Sequence, residues 1–283
     1  MIASPLRYPG GKAKLYDFFT AIVKTNNLYT YEYCEPYAGG AGLALRLLCN
    51  GFVERVSLND VDRAVFAFWT SILNKTDAFC RLIEATPITV EEWYRQKTTW
   101  MQGDLGDSLA LGFSAYFLNR TNRSGIIEGA GPIGGYEQNG KWKIDVRLDK
   151  EKQISNIQAV SRYSGQIHIS NMDALHYIRL NINKREKFLY LDPPYYVKGK
   201  KLYKNFYSHY DHERIAAELQ KRRHSKWVVS YDDVREIRDI YRAFSPITYS
   251  LNYSAGKKAA GQEVIFHSDS ITLPNVNGFA IAA

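Results

Sequence analysis

Short apolar runs alternate with amphipathic stretches near both ends of the chain. Residues 31–37 and 53–60 have the composition of buried strands, and residues 41–50 and 61–73, which follow them, have helical periodicity. Strands that alternate with helices in this way are typical of a parallel sheet with helices packed against it. The first quarter of the chain therefore predicts an α/β fold.

Strands return in the last part of the chain. Residues 166–170, 188–192 and 226–233 each predict a strand, with helices between them. Residues 245–269 predict two further strands joined by a basic loop that contains glycine. These strands complete the sheet that the first part of the chain begins.

The middle of the chain has a different pattern. Residues 107–121 show helical periodicity and residues 123–135 form a glycine-rich loop, but no buried parallel strand is evident. We therefore expect a core of residues 1–74 and 160–283, interrupted by a mainly helical insertion of residues 75–159.

Composition and charge narrow the class of protein. A hydrophobic content of 45% over 283 residues is enough for a sizeable core. No apolar run approaches the roughly 20 residues that span a bilayer, and the first residues show no apolar signal region, so a cytoplasmic protein is expected. The three cysteines are sparse and lie in apolar segments, which argues against a disulfide framework or a zinc site. A net charge of +8 favours a polyanionic partner.

A glycine-rich turn follows the first predicted strand in the segment CEPYAGGAG, residues 34–42. Its glycines allow a tight turn and a close approach of a ligand to the start of the next helix. Asp60 ends the next strand, eighteen residues after the last glycine, where a carboxylate can accept hydrogen bonds from a ribose diol. The alternative is an ordinary turn, with Asp60 capping the helix that follows.

The strand at 188–192 ends in an unusual set of residues, Asp192, Pro193, Pro194 and Tyr195. The prolines fix the backbone and remove two N–H donors, so the carbonyls of this segment are presented as acceptors. An acidic side chain and a flat ring beside them suit a planar heterocycle that carries an NH₂ group. The alternative is a strand end with an exposed turn.

Four segments, taken in order, resemble those of the DNA adenine N6-methyltransferases that use S-adenosylmethionine. They are RYPGGK, EPYAGGAG, FLNRTNRSG and DPPYY. Their order resembles the alpha group of these enzymes. The resemblance implies an α/β fold with a Rossmann-like methyltransferase sheet, helices on both faces, and a mainly helical target-recognition insertion. Residues 1–74 and 160–283 would form the S-adenosylmethionine-binding catalytic domain, and residues 75–159 the target-recognition domain.

The resemblance also implies a cofactor and the residues that bind it. S-adenosylmethionine would be contacted by the N-terminal motif, the glycine-rich turn and the ends of several strands. These residues are Tyr8, Lys12, Glu35, Pro36, Gly39, Gly40, Gly42, Asp60, Asp173 and Asp192. No metal ion is needed for this chemistry.

The implied reaction is methylation of N6 of a flipped-out adenine in double-stranded DNA. Asp192 and the Pro193 carbonyl would accept hydrogen bonds from the target amine, Pro194 would stiffen the segment, and Tyr195 would stack on the base. Methylation of cytosine N4 shares this chemistry and stays open as an alternative. A catalytically silent, sequence-specific DNA-binding protein of the same fold is another.

Basic and polar residues near these motifs are candidates for DNA contact. Those after the catalytic motif, among aromatic residues, are Lys198, Lys200, Lys201 and Lys204; those in the insertion are Asn119, Arg120, Asn122 and Arg123. A solvated lysine-rich loop is the alternative for the lysines, and structural hydrogen bonds by Asn119 and Arg120 are the alternative for the insertion. The expected partner is double-stranded DNA, bound by a monomer or weak dimer with no obligatory protein partner. His209 and His212 lack a third metal ligand, so capping and surface roles are expected for them.

Overall fold

A single mixed sheet of eight strands lies at the centre of the described chain. The computed structural model describes residues 3–7, 13–103, 106–197, 207–252, 260–276 and 279–281. The strands are β1 Glu32–Glu35, β2 Arg55–Asn59, β3 Ile167–Ser170, β4 Lys187–Leu191, β5 Lys226–Asp232, β6 Ile247–Asn252, β7 Ala260–His267 and β8 Phe279–Ile281. Their order is β3-β2-β1-β4-β5-β7-β6-β8. Strands β1 to β5 pair in parallel, and β7 runs antiparallel to both β5 and β6.

The helices connect and cover these strands. They are α1 Ala13–Thr25, α2 Gly42–Cys49, α3 Arg63–Asn74, α4 Thr76–Ala85, α5 Val90–Gln102, α6 Ser108–Thr121, α7 Lys150–Ser161, α8 Ala174–Asn181, α9 His209–Lys221 and α10 Arg235–Ile240. No helix in the described part of the chain is long and apolar enough to cross a membrane.

Successive residues of each strand face opposite sides of the sheet and build two separate cores. Tyr33 and Tyr190 belong to one buried cluster, which also contains residues of α1, α2 and α3. Their neighbours Cys34 and Leu189 belong to the other cluster, with residues of α8, α9 and α10. This alternation follows from the two-residue period of a strand. The predicted α/β sheet with helices on both faces is confirmed.

The middle of the chain is helical, as the sequence indicates. Between residues 75 and 159 the described residues form helices, turns and one isolated bridge between Asn122 and Pro132, but no strand. Helix α6 packs directly on α3, because Gly112 has no side chain; a Cβ there would lie 2.6 Å from the Ala67 carbonyl oxygen. Phe68 of α3 and Tyr116 of α6 also stack, with ring centroids 6.0 Å apart. The predicted domain boundary at residue 75 therefore separates α3 from α6, although the two helices share one hydrophobic cluster.

The chain order of the strands reverses at β1, which lies between β2 and β4. Glu35 of β1 pairs with Leu58 of β2, and Cys34 pairs with Leu189 of β4. The carboxyl ends of these three strands consequently meet at one edge. In open α/β sheets, such a switch point is where ligands bind.

The predicted strands correspond closely to the observed ones. The differences lie at strand ends, except that β8 was not predicted. Strand β8 has three residues, Phe279–Ile281, and it pairs only with β6. Three residues are too few to show the alternation of apolar and polar positions that predicts a strand. The pairing of β8 depends on the position of β6.

Candidate active site

The turn after β1 is fixed by hydrogen bonds on both sides. The Gly39 N–H donates to Oδ2 of Asp60 at 2.9 Å, and the buried Trp69 indole donates to the Gly39 carbonyl at 2.9 Å. Gly39 has a φ of 45°, in the left-handed region that favours glycine. The Ser4 hydroxyl donates to the Gly40 carbonyl next to it. Helix α2 begins at Gly42, which is exposed, and its N-cap makes no side-chain hydrogen bond.

Asp60 is half-buried at the end of β2. Its two oxygens each accept one backbone hydrogen bond at 2.9 Å, from the Asp62 N–H and the Gly39 N–H. Burial raises the pKa of Asp60 to about 7, although these two hydrogen bonds act to lower it. Asp60 does not cap α3, the helix that follows. That helix is capped by Asp62, which accepts from the Ala64 N–H at 2.8 Å. Each oxygen of Asp60 keeps acceptor capacity for a ligand hydroxyl.

Asn59, the last residue of β2, links the loops that follow β1 and β3. It is fully buried, and its amide donates to the Pro36 and Met172 carbonyls at 3.0 Å. Its oxygen accepts from the Met172 N–H at 3.0 Å and from the Ser170 hydroxyl at 2.9 Å. The sequence prediction missed Asn59, since nothing in the pattern distinguishes it from other strand residues.

A chain of hydroxyl groups reaches Asp192 at the end of β4. The Ser230 hydroxyl donates to Oδ1 of Asp192 at 3.2 Å, and it lies 2.8 Å from the Tyr190 hydroxyl. Ser230 is fully buried in β5, the strand next to β4. The Asp192 carboxyl group therefore has a defined orientation. The sequence prediction missed Ser230, because its contact with Asp192 depends on the pairing of two strands.

Tyr195 is mostly buried, and its hydroxyl is fixed from β7. The hydroxyl donates to Oε1 of Glu263 at 2.8 Å. Pro193 before it is buried and Pro194 is half-buried. The segment that leaves β4 is thus a fixed part of the sheet edge, which does not match the alternative of an exposed turn.

Residues on both sides of the lysine-rich segment converge on His212. The rings of Tyr196 and Tyr207 lie 5.3 and 5.4 Å from the His212 ring. Asp232 accepts from the Tyr196 N–H at 2.9 Å and from the Val197 N–H at 3.2 Å. His212 is fully buried, and this burial lowers its pKa to about 4. The surface role expected for His212 is therefore wrong, because it packs among aromatic rings.

The two asparagines of the predicted recognition segment face inward. Asn119 accepts from the Arg7 N–H at 2.7 Å and donates to the carbonyls of Arg7 and Gly125 at 2.8 Å. Asn122 accepts from the Trp93 indole at 2.6 Å and donates to the loop that follows it. Both are buried, so in this structure they hold the loop in place.

The two arginines of that segment differ in their surroundings. Arg120 is half-buried at the end of α6, where burial lowers its pKa, as does the nearby charge of Arg7. The Arg123 side chain is exposed, and its backbone N–H donates to the Gly131 carbonyl at 3.1 Å. Arg123 is consequently the more accessible of the two to a large anionic partner.

The remaining predicted residues lie at the edge of the site or outside the described chain. Glu35 is buried at the end of β1, and the Tyr33 hydroxyl donates to it at 3.1 Å. Asp173 is exposed and caps α8 by accepting from the His176 N–H at 3.0 Å. The residues outside the described ranges are Tyr8, Lys12, Lys198, Lys200, Lys201 and Lys204.

The chain matches one family model over most of its length. The model is described as D12 class N6 adenine-specific DNA methyltransferase, and the match covers residues 8–254. None of the curated proteins matches the chain.

We expect replacement of Asn59 by Ala to destabilise the site strongly. The change leaves the buried backbone groups of Pro36 and Met172 without their partner, at a cost of about 1–3 kcal/mol for each unsatisfied group. Asn171→Ala is the control, because Asn171 is exposed and water can replace its hydrogen bonds to the Asp60 and Val61 carbonyls. Urea unfolding measures both variants, and equal losses of stability would contradict this role of Asn59.

Proposed function

We propose that the protein methylates N6 of an adenine flipped out of double-stranded DNA, with S-adenosylmethionine as the methyl donor. The premise is that the chain belongs to the D12 class N6 adenine-specific DNA methyltransferases. Membership makes the protein an adenine-specific DNA methyltransferase. The observation that carries the finer proposal is the shared sheet edge, where Asp60 and Asp192 follow the two strands that flank β1.

The donors and acceptors at this edge fit S-adenosylmethionine. Asp60 has acceptor capacity for the two hydroxyls of a ribose, and Gly42 leaves the start of α2 uncovered. When bound, the cofactor supplies a methyl group on a positively charged sulfur, already activated for displacement. The residues proposed to hold it are Tyr8, Lys12, Glu35, Pro36, Gly39, Gly40, Gly42, Asp60, Asp173 and Asp192.

Asp192 and Pro193 are proposed to activate the target amine. The amine of adenine is conjugated with its ring and is a poor nucleophile. Hydrogen bonds from its N–H groups to the Asp192 carboxylate and the Pro193 carbonyl would localise the nitrogen lone pair. The Ser230 hydroxyl supports this role, because it fixes the direction of the Asp192 oxygens. The protein then contributes mainly position and electrostatics.

The target base must leave the duplex, because N6 is not accessible for this reaction inside a base-paired stack. Tyr195 is proposed to stack on the flipped base, and Pro194 to keep the backbone rigid beside it. The hydroxyl of Tyr195 is held by Glu263, so contact with the base is proposed through a face of the ring. A flipped base has lost its stacking neighbours in the duplex. A ring that is already held in place is suited to stack on it.

DNA contact is proposed for two segments of the chain. In residues 75–159, the proposed target-recognition domain, Arg120 and Arg123 would contact the DNA, with Asn119 and Asn122 shaping the loop that carries Arg123. Residues 1–74 and 160–283 form the proposed catalytic domain. The net positive charge of the chain belongs to these residues, because 75–159 contains equal numbers of basic and acidic residues. Lys198, Lys200, Lys201 and Lys204 belong to this excess and are proposed to bind phosphates.

Both site carboxylates and their supporting residues come from one chain. Action as a monomer or weak dimer, without an obligatory protein partner, remains part of the proposal.

Replacement of Asp192 by Ala should abolish methyl transfer and leave DNA binding nearly unchanged, because it removes an acceptor for the amine but no basic side chain. Incorporation of a labelled methyl group into DNA from a methylation-free host measures transfer, and a gel-shift assay measures binding. Asp239→Ala is the control, since Asp239 is exposed on α10, outside the proposed site. Full turnover by the Asp192 variant would refute the proposal.

Cofactor affinity should rise with pH through a midpoint near 7. Asp60, whose pKa burial raises to about 7, accepts ribose hydroxyls best when ionised, so a proton competes with the cofactor at lower pH. The dissociation constant should fall about tenfold between pH 6 and pH 8, because the ionised fraction rises by that factor. Calorimetry on the protein and on Asp60→Asn tests this, and the same pH dependence in the variant would contradict it.

A further inference from the structure

Glu263 lies outside every motif considered above, yet it contacts the catalytic segment. It is fully buried in β7. Its Oε1 accepts from the Tyr195 hydroxyl at 2.8 Å, and its Oε2 accepts from the Tyr249 hydroxyl. One carboxyl group therefore joins the segment after β4 to two strands from the last part of the chain.

The sheet places Glu263 where it can act on this segment. It pairs with Asp232 of β5 on one side and with Tyr249 of β6 on the other. Side chains of directly paired residues lie on the same face of a sheet. Asp232 accepts the N–H groups of Tyr196 and Val197, so the cross-strand pair of Asp232 and Glu263 holds two consecutive tyrosines, one by its backbone and one by its hydroxyl.

The hydrogen bond to Glu263 restricts the ring of Tyr195 in a specific way. A tyrosine ring has only two side-chain torsions, and a fixed hydroxyl oxygen together with a fixed backbone determines the first of them and so the position of the ring. The oxygen lies on the axis of the second torsion, but a phenolic O–H prefers the plane of its ring, so the direction of the bond to Oε1 of Glu263 also favours one ring plane. A hydrogen bond to an ionisable carboxyl group in a buried site is among the stronger ones in proteins. The Tyr249 hydroxyl holds the other oxygen of Glu263, which keeps the carboxyl group from rotating.

We propose that Glu263 is a positioning residue of the enzyme, which fixes the position of the Tyr195 ring, favours one plane for it, and thereby sets the aromatic surface presented to the target base. The inference rests on the proposed function, in which Tyr195 stacks on the flipped adenine. Glu263 itself does not touch the substrate. It acts by holding Tyr195 in one orientation before DNA binds, so that no ordering of the ring is required when the base enters.

A double-mutant cycle tests this inference. Glu263→Leu removes the acceptors of the hydrogen bonds from Tyr195 and Tyr249 at similar size, and Tyr195→Phe removes the hydroxyl from the first of these contacts. Each single variant should lower kcat about tenfold at saturating cofactor, because a buried hydrogen bond to a carboxyl group is lost. The double variant should be no slower than the slower single variant, since both changes break the same bond. KM for S-adenosylmethionine should not change.

Two further variants separate positioning from general stability. Glu263→Gln keeps an oxygen for Tyr195 and an amide for Tyr249, so it should retain kcat within about threefold. Tyr249→Phe is the matched control, because it removes a hydroxyl from the same carboxyl group and leaves the bond to Tyr195. It should lower kcat less than Tyr195→Phe does, even where its thermal stability falls by as much.

Several outcomes would overturn the inference. They are an unchanged kcat in Tyr195→Phe, a loss in Glu263→Gln as large as in Glu263→Leu, and losses that multiply to about a hundredfold in the double variant. If Glu263→Leu does not fold, the comparison of Tyr195→Phe with Tyr249→Phe decides the question by itself, and equal values of kcat would be the contrary result.

Tyr195→Ala distinguishes this failure from failure of the proposed function. This variant removes the ring, and the proposed function requires a large loss of methyl transfer. A normal rate in Tyr195→Ala would remove the stacking role and the inference with it. A slow Tyr195→Ala beside a normal Tyr195→Phe would overturn the inference about Glu263 alone. All rates are measured on DNA from a methylation-free host, with far-ultraviolet circular dichroism to confirm folding.

Discussion

The parallel pairing of β2, β1 and β4 is the constraint on which the rest of the site depends. It sets the registers of Leu58 with Glu35 and of Cys34 with Leu189, and so brings two distant segments of the chain to one edge. Because the strand order reverses at β1, the connections that leave β1 and β4 lead to helices in different clusters, α2 in one and α9 in the other. Ligands of open α/β sheets bind at such a point. A shift of one residue in either pairing would turn the strand-end side chains to the opposite face.

Buried polar side chains hold that edge in place, and each joins segments far apart in the chain. Asn59, at the end of β2, joins the loops after β1 and β3, while Ser230 fixes Asp192 and Glu263 holds Tyr195. Such networks contribute modestly when complete, but they are costly to break, because an unsatisfied buried group keeps its desolvation penalty. The proposed catalytic segment is thereby ordered before a substrate binds, which is the condition for catalysis by position and electrostatics.

The sequence predicted the elements and the motifs, because these depend on local pattern. Strand alternation, the glycine-rich turn and the Asp-Pro-Pro-Tyr segment are all visible within a few residues. It did not predict the roles of Ser230 or Glu263, since their contacts depend on which strands pair and in what register. Asn119 and Asn122 also show this limit. The sequence suggested base contacts for both and left structural hydrogen bonds open for Asn119, whereas in the structure both side chains face inward and hold the loop.

The central claim is that this sheet edge methylates adenine in DNA at a defined site. The most direct measurement is expression of the protein in a host that lacks DNA methylation, followed by mass spectrometry of the nucleosides and mapping of the modified bases. The account predicts N6-methyladenine, confined to one short sequence throughout the genome. N4-methylcytosine as the product, or no modified base despite a folded protein that binds DNA, would contradict it.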